Sequence, residues 1–311
     1  MKLTVGTRGS QLALAQTNRT LDWIKTKNPT IEFELKIIHT TGDKEHGKPL
    51  FSIDCKGIFE KEIDQQVANG EVDLAVHSLK DVPIVEQQTG TVIAAIPKRD
   101  SPNDVFISHN QMPFNDLPHG AVVGTGSLRR LAEIKYLRPD LDVQPIRGNV
   151  DTRIKKVANG ELAGIIIAEA GLQRLNILKE ITQRLPLKQF PSAAGQGAIA
   201  VTAKENNTKI INLAQSIEDP NSRAEITAER SLVLKLEGGC RVPIGAVAKA
   251  QGDKLTLLGS IFSLSDHRKI SAQASGTLRQ AEKLGTEVGE DLIKQGADEF
   301  EKEWREKYGV W

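Results

Sequence analysis

Through the first two-thirds of the chain, short apolar runs rich in β-branched residues alternate with segments of helical periodicity. This alternation is typical of βαβ units around a largely parallel sheet, and it predicts an α/β fold. The predicted strands are Leu3–Val5, Phe33–His39, Leu74–Val76, Val92–Ile96, Ala121–Val123, Val143–Ile146 and Ile165–Ala168.

Two segments near the start of the chain predict helices that cover this sheet. The segment Ser10–Lys27 begins with a serine that suits a helix N-cap. Phe59, Ile63 and Val67 recur every four residues before Gly70, a residue that favours a helix end.

The pattern changes after residue 217 and predicts a smaller α+β domain. A helix is predicted over Ser222–Glu237, strands near Ile244–Ala250 and Leu255–Phe262, and a final helix from about Leu278. Proline-flanked breaks near residues 97–102 and 186–191 are the expected crossings between two α/β domains. The predicted domains are residues 1–98 with 196–217, residues 99–195, and residues 218–311.

The composition excludes several classes of protein. The 41 basic and 40 acidic side chains give a net charge of +1, so no global field attracts nucleic acid or an anionic membrane. Met1–Gly6 is a predicted strand and no later apolar run spans a bilayer, so a cytoplasmic protein is expected. Two cysteines provide no disulfide framework, and the six histidines lack metal-ligand spacing, so no metal is expected.

Arginines stand directly after predicted strands. These arginines are Arg8, Arg129, Arg130 and Arg147. Ligands of α/β sheets bind outside the carboxyl ends of the strands, so these side chains are expected to converge there. Arg153 and Arg174, near the starts of predicted helices, are candidates to join them. The guanidinium fork suits carboxylates, which predicts a polycarboxylate ligand. Taken one at a time, each arginine is also compatible with an ordinary exposed surface.

The run GTGSLRR, from Gly124 to Arg130, combines flexible glycines with Ser127, a candidate cap for the following helix. The amino end of a helix favours anions. The run lacks the third glycine of a dinucleotide fingerprint and the Lys-Ser/Thr ending of a P-loop, so neither nucleotide motif is predicted.

In the run VHSLKDVP, from Val76 to Pro83, an apolar strand ends abruptly in polar residues. Pro83 stops the strand and leaves Lys80 and Asp81 at its end. There the ionised carboxylate of Asp81 is able to accept a hydrogen bond from a pyrrole N–H or to balance a cationic intermediate. An aspartate that accepts main-chain hydrogen bonds in a turn is the alternative. His77 is expected to be a structural hydrogen-bonding residue, because no order of Ser, His and Asp supports a catalytic triad.

In the run EGGCRVP, from Glu237 to Pro243, Cys240 follows two glycines and precedes Arg241. A neighbouring cation favours the nucleophilic thiolate, which makes Cys240 a candidate attachment point. An inert thiol is the alternative, since free cysteine usually behaves as a small buried apolar residue.

Together these segments resemble the porphobilinogen deaminase family over essentially the whole chain and in the same order. The matching stretches are TRGSQLALAQ from Thr7, TGD from Thr41, KGIF from Lys56, VHSLKDVP from Val76, GTGSLRR from Gly124, IRGNVDTR from Ile146, AEAGLQRL from Ala168, GQG from Gly195 and EGGC from Glu237. Each stretch alone is weak evidence, whereas nine in register are specific.

The resemblance implies two α/β domains like those of periplasmic binding proteins, plus a smaller α+β domain. It implies an enzyme that joins four porphobilinogen units into hydroxymethylbilane with release of ammonia, on a dipyrromethane cofactor held by a thioether to Cys240. The implied catalytic residues are Asp81, Phe59 and Lys80. The implied cofactor-binding residues are Cys240, Thr125, Ser127, Arg129, Arg130, Lys80 and Asp81. The implied substrate-binding residues are Arg8, Ser10, Lys56, Arg147, Arg153, Arg174 and Gln196. A monomer is expected, and a downstream cyclising synthase is a candidate partner.

Several positions depart from the family's usual residues. In the active-site loop, Ser52 replaces a lysine and Cys55 replaces a glycine. For Cys55, a loop thiol without function and an oxidisable thiol are both open. Ser101 replaces an aspartate, and Gly126 a serine. Glu169 adds an acid near the predicted arginines, where it is expected either to pair with one of them or to weaken substrate binding.

Two functions without catalysis compete with the enzyme. A two-lobed solute-binding protein should carry an export signal and has no use for a third domain with an EGGC loop. A transcriptional effector-binding module should be joined to a basic helix-turn-helix segment, whereas this chain opens with its first predicted strand.

Overall fold

The computed structural model describes residues 1–44, 60–84, 90–236, 242–263 and 265–308. They form two compact units, one from residues up to 100 with 197–223, the other from residues 101–196 and from 224 onward. The first crossing lies within the predicted break near residues 97–102. The second lies beyond the break near residues 186–191, at a turn where Gly195 and Gly197 adopt positive φ values of 79° and 85°.

In chain order the strands are β1 (Lys2–Thr7), β2 (Glu32–Ile37), β3 (Leu74–Ser78), β4 (Thr91–Ala95), β5 (Asp104–Ser108), β6 (Val122–Gly124), β7 (Asp142–Gln144), β8 (Gly164–Ala168), β9 (Gln183–Arg184), β10 (Ile199–Lys204), β11 (Ile244–Gln251), β12 (Lys254–Phe262) and β13 (Lys269–Thr277). The helices are α1 (Gln11–Lys27), α2 (Thr41–Lys44), α3 (Lys61–Asn69), α4 (Leu128–Leu137), α5 (Val150–Ala158), α6 (Glu169–Arg174), α7 (Thr208–Gln215), α8 (Pro220–Lys235), α9 (Ala281–Lys294) and α10 (Ala297–Tyr308).

The first unit contains a five-stranded sheet in the order β2-β1-β3-β10-β4. β1 runs parallel to β2 and β3, and its residue Val5 lies opposite Leu74. The helices α1, α3 and α7 pack on this sheet, so its central strands are buried on both faces. Ser10 caps α1, and Gly70 ends α3 with a φ of 79°, as the sequence predicts.

The second unit contains a five-stranded sheet in the order β7-β6-β8-β5-β9. The predicted sheets were largely parallel, but both sheets are mixed: β10 runs antiparallel to β3, and β5 antiparallel to β8. Each of these two strands is the first to follow a crossing between the units. A helical crossover within one sheet makes consecutive strands parallel. Strands β5 and β10 are entered from the other unit and not through such a crossover, so they can run antiparallel to their neighbours.

The second unit also contains a three-stranded antiparallel sheet in the order β11-β12-β13. The backbone N–H groups of Ala248 and Ala250 on its edge strand β11 donate to carboxylates of Glu229 and Glu225 on α8. The described residues thus contain two mixed five-stranded α/β sheets, one in each unit, and a smaller three-stranded sheet with helices in the second unit, while the predicted domain limits stay a prediction.

Candidate functional site

A pocket of about 70 Å³ lies in the first unit at the carboxyl ends of β1 and β3. Its polar lining residues are Arg8, Ser10, Gln16, Glu60, His77, Ser78 and Asp81. Because β1 and β3 are parallel neighbours, the residues that follow them reach the same edge of the sheet. The structure therefore brings the predicted residues Arg8, Ser10 and Asp81 together.

Asp81 owes its position to a tight turn after β3. The residues Leu79–Asp81 form a single 3-10 turn in which Leu79 is fully buried and its N–H donates to the carbonyl of Ala198. Lys80 and Asp81 lie on the exposed side of this turn. The buried leucine anchors the turn, so the Asp81 carboxylate is held at the pocket while remaining accessible.

The amino end of α1 lies at the same pocket. Ser10 Oγ accepts a hydrogen bond of 3.2 Å from the N–H of Ala13, and the first turn of this 17-residue helix contains no acidic residue. The helix therefore contributes partial positive charge beside the Arg8 guanidinium. This end of the pocket suits a carboxylate.

His77 faces α3 in a buried network. Its Nε2 lies 3.1 Å from Oδ1 of Asp64, which also accepts a hydrogen bond of 2.9 Å from Thr202 Oγ1. His77 and Asp64 are both buried. This arrangement agrees with the structural role that the sequence predicts for His77.

The arginines of the GTGSLRR run meet a buried acid in the second unit. Asp104 accepts hydrogen bonds of 2.8 Å from Arg129 Nη2 and of 2.6 Å from Arg130 Nη2. Arg129 Nη1 donates to Glu133 and to the carbonyl of Pro191. Gln196 Nε2 donates to Asp104 at 2.9 Å, so three predicted ligand-binding residues converge on one carboxylate.

Burial and ion pairing oppose each other in this cluster. Burial alone raises the pKa of Asp104, but the guanidinium groups of Arg129 and Arg130 outweigh it and hold that pKa well below its usual range. Burial, assisted by the neighbouring Asp104 charge, raises the pKa of Glu133 to about 8 despite its contact with Arg129. Asp104 is therefore the firmly ionised partner of the two arginines.

Arg130, Arg147 and Arg153 form a second group of charges in this unit. Burial, together with the nearby positive charges of Arg130 and Arg147, lowers the pKa of Arg153 to about 10. Arg153 Nε donates to the carbonyl of Gly148 at 2.8 Å, which fixes its direction. The three guanidinium groups repel one another, and a bound anion would relieve this repulsion. The group therefore suits a polyanionic ligand.

Two loops bring these arginines together. Thr125 follows β6, where its N–H donates to the carbonyl of Gln144, and Ile146 N–H donates back to the carbonyl of Thr125. Ser127 Oγ caps α4 by accepting from the N–H of Arg130. A Cβ on Gly126 would lie 2.9 Å from the Ile146 carbonyl oxygen, so the serine that is usual in the family would force the two loops slightly apart.

Arg174 and Glu169 differ from the expectations of the sequence. Helix α6 begins at Glu169, directly after β8, so Arg174 is its last residue and not near its start. The Glu169 carboxylate is buried and pairs with Arg184, which is not among the predicted ligand-binding arginines. Ser101 Oγ donates to the same carboxylate at 2.6 Å, so Glu169 is already satisfied within the protein.

Some predicted residues lie outside the described part of the chain. They are Cys240, Phe59 and Lys56, with Ser52, Cys55 and Arg241. Their roles stay predictions.

Asp104 is the residue of this site that sequence reasoning missed. It stands in the run NDVFIS, where a polar residue opens an apolar strand that was not predicted. Two adjacent arginines expected at a sheet edge require a nearby countercharge. That requirement, together with an acid at the start of an apolar run, was the available signal.

Cationic and polar groups at the carboxyl ends of both α/β sheets define an anion-binding α/β protein with an added α+β domain. Two family models match the chain, "Porphobilinogen deaminase, dipyromethane cofactor binding domain" over residues 3–212 and "Porphobilinogen deaminase, C-terminal domain" over residues 223–294. The chain belongs to the porphobilinogen deaminase family, and its cofactor is dipyrromethane.

Curated relatives match along nearly their whole length. A probable porphobilinogen deaminase of Nitrosopumilus maritimus is 45% identical over 100% of this chain and 99% of its own. The porphobilinogen deaminase of Syntrophus aciditrophicus is 42% identical over 94% of this chain and 96% of its own. Among solved structures, an arginine-specific periplasmic binding protein of Salmonella typhimurium is 12% identical, with a TM-score of 0.42 over 71% of this chain and 93% of its own. Family membership favours an enzyme over the solute-binding and effector-binding alternatives.

Proposed function

We propose that this protein is a hydroxymethylbilane synthase that joins four porphobilinogen molecules head to tail, with release of ammonia, on a dipyrromethane attached to Cys240. The observation that carries the proposal is the pocket where Asp81, Arg8 and the amino end of α1 meet. It places one accessible carboxylate beside groups that bind carboxylates. The substrate, a pyrrole with two carboxylate arms and a cationic aminomethyl group, needs both.

The donor groups of the second unit fit the cofactor. Arg130 Nε and Arg129 Nε are buried donors that have no hydrogen-bond partner among the described residues. Arg147 and Arg153 add positive charge close to Arg130. Arg129, Arg130, Thr125 and Ser127 would hold the carboxylate arms of dipyrromethane, which when bound supplies the pyrrole carbon from which the product grows.

Asp81 acts on the aminomethyl group of the incoming porphobilinogen. Its carboxylate lies at the pocket edge, where it stabilises positive charge as ammonia leaves and accepts a hydrogen bond from the pyrrole N–H. Arg8 and Ser10 bind the acetate and propionate arms and so orient the ring. Lys80, Phe59, Lys56, Arg174 and Gln196 keep the family roles assigned to them from the sequence.

A covalent primer makes the synthesis processive. Each added unit brings two carboxylates, so a growing chain needs many cations, and attachment through a thioether removes the need to rebind it after every condensation. The remaining parts of the proposal are a cytoplasmic monomer and a downstream cyclising synthase as partner. Among the described residues, no helix has the length and apolar character needed to cross a bilayer.

Substitution of Asp81 tests the proposed chemistry. We expect Asp81→Asn to reduce ammonia release from porphobilinogen by about 100-fold or more, because the amide cannot balance developing positive charge. The matched control is Asp22→Asn, which removes the same charge from an exposed position on α1. Both variants should keep the wild-type melting temperature, and near-normal turnover by Asp81→Asn would refute the role of Asp81.

A further inference from the structure

Helix α10 lies outside the residues that the two family models match, which end at residue 294. It nevertheless shares a buried cluster with α4, the helix that carries Arg129 and Arg130. Side chains of α10, β12 and α4 share one buried cluster: Trp304, Phe262, Leu128 and Ala132, with Leu131 and Tyr308 packed at its border.

Trp304 is the centre of this cluster. Its side chain is fully buried, its indole N–H donates to the carbonyl of Phe262 at 2.8 Å, and the ring of Tyr308 stacks on it with centroids 5.5 Å apart. The ring of Phe262 also makes an edge contact with the ring of Tyr136 from α4, with centroids 5.7 Å apart. The hydrogen bond and the ring contacts fix the indole in one orientation.

Two faces of helix α4 contact different clusters, one apolar and one charged. Leu128 and Ala132 stand four residues apart and face the Trp304 cluster, whereas Arg129 and Glu133, also four apart, bind each other in the charged cluster around Asp104. A helix of ten residues is marginal by itself, so its direction depends on packing. A small rotation of α4 would displace Arg129 and Arg130 from hydrogen bonds of 2.6–2.8 Å.

We propose that Trp304 is a positioning residue that holds α4 in the orientation in which Arg129 and Arg130 serve the cofactor. The proposal rests on the proposed function, because it takes the ligand of these arginines to be dipyrromethane and the growing chain. Trp304 is fully buried in its own cluster, so it acts through packing. Its effect is transmitted through Leu128 and Ala132 to the guanidinium groups.

The test compares Trp304→Leu with Leu292→Ala in the purified holoenzyme. Leu292 is equally buried, but it lies on α9 and is not part of the cluster with α4. We expect Trp304→Leu to raise KM for porphobilinogen by about fivefold and to lower the fraction of chains that carry the cofactor, as measured by intact mass. Leu292→Ala, with a comparable loss of melting temperature, should leave KM and cofactor content unchanged. Trp304→Phe, which keeps an aromatic ring, should partly restore KM.

Hydrogen exchange supplies a readout that does not depend on catalysis. The backbone amides of α4 should exchange faster in Trp304→Leu than in Leu292→Ala, and equal exchange with equal KM would overturn the positioning role. If Trp304→Leu fails to fold, Trp304→Phe and Tyr308→Ala carry the same comparison. A wild-type protein that does not turn over porphobilinogen would instead contradict the proposed function, while exchange in α4 would still decide the role of Trp304.

Discussion

At the scale of single residues, the charges of the second unit depend on Asp104. This carboxylate is fully buried and accepts from Arg129, Arg130 and Gln196. Removing one partner from a buried ion pair typically costs about 3–5 kcal/mol, because the remaining charge is left uncompensated. The sequence could predict the arginines from their place after β6 and their need for a countercharge. It could not single out Asp104 among the acids of the chain, because this residue belongs to a strand that pairs with distant residues.

Glu133 gives this cluster a pH dependence. Its pKa is raised in the folded protein to about 8, so the stability it contributes is complete below the pKa of the unfolded chain and is lost as pH rises through 8. We expect the free energy of unfolding of the wild type to fall between pH 6 and pH 9, and that of Glu133→Gln to fall less. Urea denaturation at the two pH values measures this difference. An identical pH dependence in both proteins would show that Glu133 is ionised in the fold.

The departures at Ser101 and Glu169 are coupled. Ser101 Oγ donates to the Glu169 carboxylate, whose other partner is Arg184. The substitution Ser101→Asp, which restores the family's aspartate, places a second carboxylate against that of Glu169. We therefore expect Ser101→Asp to lower the free energy of unfolding by about 1 kcal/mol more in the wild-type background than in the Glu169→Gln background. Denaturant unfolding of the four proteins in a double-mutant cycle measures the coupling. Additive changes would mean that the two departures are independent.

At the scale of elements, the sequence predicted segments whose signals are local. Helix α1 follows from its serine cap and α3 from its periodicity and Gly70. Strands β5, β9, β10 and β13 were not predicted. Two of them enter their sheets antiparallel after a crossing, and β13 mixes small and polar residues along an edge. Their structure is set by pairing with distant strands, which local patterns do not encode.

Close packing of α9 on α8 depends on Gly285. A Cβ at this position would lie 2.4 Å from the carbonyl oxygen of Ala228 and 2.6 Å from Ser231 Cβ. We expect Gly285→Ala to destabilise the protein by about 1–3 kcal/mol, because the two helices must separate. Glu287→Ala, at an exposed position of the same helix, is the control. Thermal unfolding measures both, and equal melting temperatures would show that the helices adapt without cost.

At the scale of the whole molecule, the chain places local charge clusters on a nearly neutral protein. The formal charge is +1, yet the first unit collects Arg8 and the amino end of α1 at one pocket, and the second collects Arg130, Arg147 and Arg153. The order of the matching motifs predicted the family and the fold class from sequence. The ion-pair partners of the arginines needed coordinates, because charge neutralisation depends on residues far apart in the chain.

The most direct test of the proposed function is the intact mass of the purified wild-type protein and of Cys240→Ser. We expect the wild type to exceed its sequence mass by one dipyrromethane, and Cys240→Ser to have the sequence mass alone and not to turn over porphobilinogen. A wild-type protein that is fully active at its unmodified sequence mass would refute the covalent attachment of the cofactor to Cys240.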